Sequence, residues 1–216
     1  GPGLGALTTA LAAAAGRLTA LEIEPGFAAY LRAQFVLEPG VEIIEADALS
    51  FDYLSLYAGA PYRLYANMPY HITTPLLKRL LPWGGNWRSM VLLLQKEAAE
   101  RIVYGRGKAN GPLTLLAAYY AEPRLCFEVP KTAFYPQPQV DSAVICLERR
   151  AAPPVAGDIQ GIMALAEAAF AERRKLMLNA LPALGGDKEY WRQGFTACGI
   201  AESSRAEQLD LAAFAR

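Results

Sequence analysis

Three short apolar stretches, each running into a polar side chain, constrain this chain most. Leu18-Thr-Ala-Leu-Glu22, Val41-Glu-Ile-Ile-Glu-Ala46 before Asp47, and Tyr62-Arg-Leu-Tyr-Ala66 before Asn67 all read as strands. Helix-patterned segments at Ala6 to Ala15, Pro25 to Gln34 and Thr73 to Leu81 alternate with them. A buried-looking strand, Ser89 to Leu94, then leads into helices at Gln95 to Tyr104 and Leu113 to Ala121. Alternation at this spacing predicts an α/β fold with a doubly wound, mostly parallel sheet. Two later strands, Arg124 to Val129 and Ser142 to Glu148, have no helix between them and are expected to pair antiparallel. The texture changes at Ala151-Ala-Pro-Pro-Val-Ala-Gly157, a linker by composition. Two domains are therefore expected, an α/β unit over 1–150 and a small helical one over 151–216.

In open α/β sheets, ligands bind outside the carboxyl ends of the strands, where Glu22, Asp47 and Asn67 fall. The chain opens on Gly1-Pro-Gly3-Leu-Gly5, a glycine-rich turn of the kind that follows a strand. That strand and an initiator methionine are both absent from the sequence, so a first strand is expected upstream of Gly1. A carboxylate 17 positions after Gly5 suits ribose hydroxyls, with Glu24 as the nearby competitor and a solvated strand-end acid as the plain alternative. Asn67-Met-Pro-Tyr70 has a sharper chemistry. An exocyclic adenine amine is a poor nucleophile because its lone pair is delocalised into the ring. An Asn side-chain oxygen and a backbone carbonyl ahead of a proline can hold its two hydrogens, while an aromatic ring stacks on the base. By itself the same tetrapeptide is also an ordinary strand-to-turn junction.

Composition bounds the partners. Hydrophobic residues make up 53% of the 216, enough for a core and against global disorder. Lys and Arg total 21, as do Asp and Glu, so no overall basic coat exists and any nucleic-acid contact must be local. Lys96, Arg101, Arg106 and Lys108 form one candidate phosphate-facing patch, the alternative being a solvated face. Arg173, Arg174 and Lys175 are the sharpest basic run, expected on a short helix that meets RNA or caps a helix C-terminus. His71, the one histidine, invites a general-base role but reads better as a turn residue. Trp83, Trp87 and Trp191 read as packing residues, and Cys126, Cys146 and Cys198 as buried thiols of a reducing compartment. Their spacing fits neither a disulfide framework nor a zinc site. No apolar stretch is long enough to span a bilayer, which makes the cytoplasm the default location.

Taken together, Gly1-Pro-Gly-Leu-Gly-Ala-Leu-Thr8, Glu22, Asp47-Ala48 and Asn67-Met-Pro-Tyr70 resemble the successive motifs of the ribosomal RNA adenine dimethyltransferases. The likeness continues through Leu94-Gln-Lys-Glu97 and Phe134-Tyr-Pro-Gln-Pro-Gln-Val-Asp-Ser142. It reaches the end of the chain in Phe170-Ala-Glu-Arg-Arg-Lys175, Asn179 and Arg205-Ala-Glu-Gln-Leu209. These last motifs are more similar to the housekeeping small-subunit enzymes than to the erythromycin-resistance methylases of the large subunit. One departure is Asn110-Gly-Pro-Leu113, where the family often reads Tyr-Gly-Arg-Leu.

The resemblance implies a Rossmann-like class I S-adenosylmethionine-dependent methyltransferase sheet with a small C-terminal helical domain. It implies dimethylation of two adjacent adenosines near the 3′ end of small-subunit ribosomal RNA, with a role in small-subunit maturation. Gly1, Gly3 and Leu4 would lie against the methionine part of the cofactor, Glu22 would hold the ribose, and Asp47 with Ala48 would bracket its adenine. Asn67 and the Met68 carbonyl would hold the target amine. Pro69 would set that carbonyl, Tyr70 would stack on the base, and Phe134 would take its other face. The implied partner is the immature small ribosomal subunit, met by a monomer without metal or membrane. Two competing readings remain: a large-subunit methylase of the resistance type, and a non-catalytic RNA-binding assembly factor.

Overall fold

The fold starts at a turn that only glycine can make. Gly5 has φ near +89°, and a Cβ there would lie 2.7 Å from the Leu31 side chain, so any other residue would be both strained and obstructed. Its amide donates to the Pro2 carbonyl, and the chain enters α1 (Ala6–Ala12) from there. The computed structural model describes residues 1–82, 86–105, 107–172 and 174–216, without the side chains of Ala58, Tyr70 and Lys108.

Two compact units make up the chain, Gly1–Leu93 and Leu94–Arg216. In the first, β1 (Leu18–Glu22) pairs in parallel with β2 (Val41–Glu45), and α2 (Pro25–Gln34) crosses between them. Pro25 sits at the helix start, where its fixed φ is already helical and its missing N–H is no loss. Ala28, Leu31 and Phe35 on one side of this segment form a buried cluster with Ile43 of β2. A 3-10 helix, Tyr53–Gly59, precedes β3 (Tyr62–Asn67), which pairs in parallel with β4 (Trp87–Gln95). Between them, α3 (Thr73–Leu80) buries Leu76, Leu77 and Leu80 on one stripe and leaves Lys78 and Arg79 on the other. Met90, Leu92 and Leu94 alternate into the interior along β4, and Trp87 joins them across a register shift in the ladder.

In the second unit, α4 (Lys96–Tyr104) and α5 (Pro112–Tyr120) are followed by β5 (Ala121–Val129) and β6 (Ser142–Arg149), paired antiparallel as expected. The helices α6 (Ile159–Ala171), α7 (Met177–Ala180), α8 (Lys188–Ala197) and α9 (Leu211–Phe214) pack with α5 around Tyr119, Ala166, Phe170, Leu181, Phe195 and Phe214. The parallel pairs and the antiparallel hairpin give the mixed α/β architecture that the alternation implied.

Several boundaries differ from the sequence reading. Helix α1 closes at Ala12 instead of Ala15, because the amides of Ala14 and Ala15 both turn back to the Leu11 carbonyl. Strand β5 starts at Ala121, three residues early, and carries Pro123 opposite Leu147. Proline is tolerated there because β5 ends the strand order and has β6 as its one neighbour among the described residues. Trp87 is buried and Trp191 packs against the helical cluster, as packing residues, whereas Trp83 lies outside the described residues. Of the three free cysteines only Cys146 is buried; Cys126 and Cys198 are half-exposed, which corrects the expectation of three buried thiols.

The α2–β2 cluster is small enough for one truncation to be felt. Leu31→Ala is expected to lower stability by about 2–5 kcal/mol, the range for a fully buried leucine, read from urea unfolding midpoints.

Candidate active site

Parallel strands deliver their carboxyl ends to a common edge of their sheet. Because β1 and β2 form a two-stranded sheet of their own and β3 pairs with β4 in another, Glu22 and Asp47 share one edge and Asn67 lies at the end of the second pair. Glu22 is the last residue of β1, Asp47 follows β2, and Asn67 is the last residue of β3. The ladder itself holds the first two in register, since the Ala46 amide donates to the Glu22 carbonyl at 2.9 Å.

Glu22 is 4% exposed, and both oxygens of its carboxylate are engaged. The Gly3 amide donates to Oε2 and the Glu24 amide to Oε1, each at 3.0 Å. Its acid therefore braces the glycine turn from below while Glu24, the competitor, sits exposed at the start of α2. Burial pushes the Glu22 pKa up, but the amides of Glu24 and Gly3, the positive charge of the Gly1 amine and the Ile23 amide together outweigh it and hold the carboxyl below its ordinary value of 4.5. Gly1 completes this arrangement by close approach: a Cβ there would lie 2.5 Å from Oε2 of Glu22. Leu4, at 67% exposure, projects from the same turn and lines an open depression of about 600 Å³ with Glu24, Gly26, Phe27 and Tyr30.

The turn after β2 is held from three directions. Oδ1 of Asp47 accepts the Leu49 amide at 2.8 Å, and the Asp47 carbonyl accepts the amides of Ser50 and Phe51. The Tyr53 hydroxyl donates to the Ala48 carbonyl at 3.0 Å, and Arg79 donates to the carbonyls of Ser50 and Phe51. Burial lifts the Tyr53 phenol to about 12, so it stays a donor throughout the working pH range. The sequence reading missed Tyr53; an aromatic six residues past a strand-end acid carries no sequence signal for such a brace.

After β3, Asn67 is exposed and Met68 is buried. The Met68 amide donates to the Leu93 carbonyl at 3.1 Å, extending the β3–β4 ladder by one residue. Pro69 holds φ near −56° and ψ near 127°, and its carbonyl accepts the Ile72 amide and the Thr73 hydroxyl. A short 3-10 turn, Tyr70–Ile72, follows, and exposed His71 sits in it as the turn residue expected. The side chain of Tyr70 lies outside the described residues.

The second unit carries the remaining candidates. Half-buried Phe134 has extended backbone in the loop joining β5 to β6. The basic residues are less free than their sequence suggests. Lys96 pairs with Glu128 at 2.7 Å, which raises its pKa, and Arg101 pairs with Glu97 at 2.7 Å. Lys175 pairs with Glu172 at 2.5 Å, and Arg174 is exposed beside it. These last two lie in the turn after α6 and not on a short helix, because the helix closes at Ala171. Arg106, Arg173 and the Lys108 side chain lie outside the described residues. Asn110, where an arginine was expected nearby, is 3% exposed and bridges two segments. Its Nδ2 donates to the Leu209 carbonyl at 2.7 Å and its Oδ1 accepts the Gly111 amide at 2.9 Å, tying the α4–α5 loop to the Arg205–Leu209 segment. Among the described residues no group of three or more His, Cys, Asp or Glu side chains is placed to hold a metal, and no helix is long and apolar enough to cross a membrane.

Comparison with known proteins gives consistent results. The family model described as ribosomal RNA adenine dimethylase matches residues 1–216. A relative named ribosomal RNA small subunit methyltransferase A from Pelotomaculum thermopropionicum is 41% identical, covering all of this chain and 78% of its own length. One of the same name from Moorella thermoacetica is 38% identical with the same coverage. Among solved structures, the 23S rRNA methyltransferase ErmE is 25% identical with a TM-score of 0.73, covering 99% of this chain and 85% of its own. A dimethyladenosine transferase from Plasmodium falciparum is 22% identical with a TM-score of 0.80 and the same coverage, and shares the fold.

Replacing the brace tests its role directly. Glu22→Gln presents an amide nitrogen to one of two backbone donors, so it is expected to lower the melting temperature at neutral pH. Because the folded pKa is depressed, the wild-type advantage is complete above 4.5 and is lost as pH falls through the lower folded value. Melting curves of both proteins across that range are expected to converge at acid pH.

Proposed function

This chain belongs to the ribosomal RNA adenine dimethylase family, and from that premise we propose that it dimethylates N6 of two adjacent adenosines near the 3′ end of small-subunit ribosomal RNA. S-adenosylmethionine is the methyl donor in this reading, and the immature small subunit in the cytoplasm is the acceptor, met by a monomer. The relatives named for the small subunit reach 41% identity against 25% for the 23S enzyme, which favours the small-subunit substrate over the large one. In this reading residues 1–150 perform the transfer and 151–216 form the helical part.

The observation that carries the reading is the strand end at Asn67-Met68-Pro69, in the same unit as a glycine turn braced by a buried acid. The turn suits a cofactor: Gly1 is packed so closely on Glu22 that a side chain is excluded, which leaves backbone free to meet a ligand. Gly1, Gly3 and Leu4 would hold its methionine part, Glu22 its ribose, and Asp47 with Ala48 its adenine. Bound there, the cofactor supplies a methyl group activated by a sulfonium. The protein's task is then positioning. The Asn67 side-chain oxygen and the Met68 carbonyl accept the two amine hydrogens, which draws the nitrogen lone pair out of conjugation with the ring. Pro69 donates no hydrogen bond and restricts the backbone that carries the Met68 carbonyl. Tyr70 and Phe134 stack on the base. The proton leaves to water once the methylated nitrogen is cationic, so no side-chain base is needed, and His71 takes no part. Lys96, Arg101, Arg106, Lys108, Arg173, Arg174 and Lys175 contact RNA phosphates.

Asn67→Ala is expected to lower methyl transfer at least about 100-fold, the scale for removing one preorganised polar contact, while rRNA binding is retained. The assay is label transfer from S-adenosylmethionine to small subunits lacking the modification, with large subunits and naked RNA alongside. Equal loss of transfer and RNA binding would remove Asn67 from the chemistry. Label in large subunits alone would reverse the substrate assignment, and RNA binding with no transfer by the unsubstituted chain would support an assembly factor.

A further inference from the structure

Tyr135 is 102% exposed, so its ring touches essentially nothing in the protein. Next to it, where the chain bends through 134–136, Phe134 is half-buried, so the two adjacent rings have different surroundings. The segment presenting them is braced. The Lys131 amide donates to Oδ1 of Asp141 at 2.9 Å across the base of the loop, and the Asp141 carbonyl accepts the Lys96 amide at 3.0 Å. The Ala133 amide closes on the Pro130 carbonyl, and Pro136 and Pro138 restrict the chain on the far side of Tyr135. The same end of the β5–β6 hairpin carries exposed Phe127 and Val140 and the cation of Lys131. A large aromatic held in water on a stiffened loop loses little further entropy when it binds.

We propose that Tyr135 stacks on the unpaired base adjoining the target adenosine. The inference rests on the functional reading above, in which Phe134 meets the target base and the acceptor is single-stranded ribosomal RNA. With the half-buried ring taken by the target base, the fully exposed ring beside it is left for the next nucleotide in the strand. Stacking suits that neighbour because every base offers a π-face, so the contact holds whether the neighbour is an unmodified adenosine or one already dimethylated. Lys131 meets the intervening phosphate. Two adjacent residues thereby grip two adjacent nucleotides, and the enzyme keeps its register on the strand as the acceptor changes.

The test compares Tyr135→Ala, Tyr135→Phe and Tyr135→Trp with the unsubstituted chain. Readouts are kcat/KM on small subunits lacking the modification, affinity for the naked 3′-terminal RNA fragment, and affinity for S-adenosylhomocysteine. Y135A is expected to lose about tenfold in kcat/KM and in RNA affinity, the scale of one lost base–aromatic stack, with cofactor-product affinity unchanged. Y135F and Y135W are expected to restore most of the loss, since the ring and not the hydroxyl makes the contact. Y135A equal to the unsubstituted chain overturns the inference, as does Y135F as damaged as Y135A. A loss seen with subunits but not with naked RNA also overturns it and assigns Tyr135 to a ribosomal protein. Failure of the unsubstituted chain to methylate any RNA is a separate result, which overturns the functional reading itself.

Discussion

The carboxylate of Glu22 ties the first unit's working edge together. It closes a loop of contacts in which the end of β1 holds Gly3, Gly3 fixes the turn that starts α1, and the Glu24 amide fixes the entry to α2. A buried acid of this kind would be costly if its oxygens lacked donors. Here two backbone amides satisfy it and, with the nearby charge of the Gly1 amine, hold its pKa down. Because the same carboxylate excludes a side chain at Gly1, one residue both builds the turn and keeps its backbone approachable.

The remaining site geometry follows from parallel pairing. With β1 beside β2, the two strand ends arrive pointing the same way, so Glu22 and Asp47 share an edge without further design, while Asn67 ends the separate parallel pair of β3 and β4. Each end is then finished differently. Glu22 is immobilised by amides, and Asp47 is folded into its own turn under Tyr53 and Arg79. Asn67 is left exposed on a backbone pinned at Met68. Fixed backbone beside a free polar side chain suits a group that must meet a substrate and not the protein.

Much of this was legible before any coordinates. Glu22, Asp47 and Asn67 stood out because each falls at the carboxyl end of a short apolar strand, and the glycine turn because such a turn ordinarily follows a strand. The antiparallel hairpin was legible because no helix separates its strands. What escaped reading depends on partners distant in sequence or on weak local signals. Asn110 owes its role to a carbonyl 99 residues away, which no local pattern encodes. The early start of β5 was hidden by Pro123, which argues against a strand unless the strand is known to lie at the end of the order. The basic patch was weighed against local acids such as Glu97, but the pairing of Lys96 with Glu128, 32 residues away, became visible only in three dimensions.

Those pairs have a thermodynamic consequence for RNA association. When a free lysine meets a phosphate, a condensed counterion is released from the nucleic acid, and the gain depends steeply on salt. For Lys96, Arg101 or Lys175 to do so, it would first leave Glu128, Glu97 or Glu172, and the freed carboxylate would then stand near the phosphate as a like charge. That repulsion would offset part of the gain. In the proposed reading, binding through these residues is thus an exchange of anionic partners, and each contact contributes less than a count of basic residues implies. In that reading a chain of zero formal charge recognises RNA by shape and stacking more than by long-range attraction.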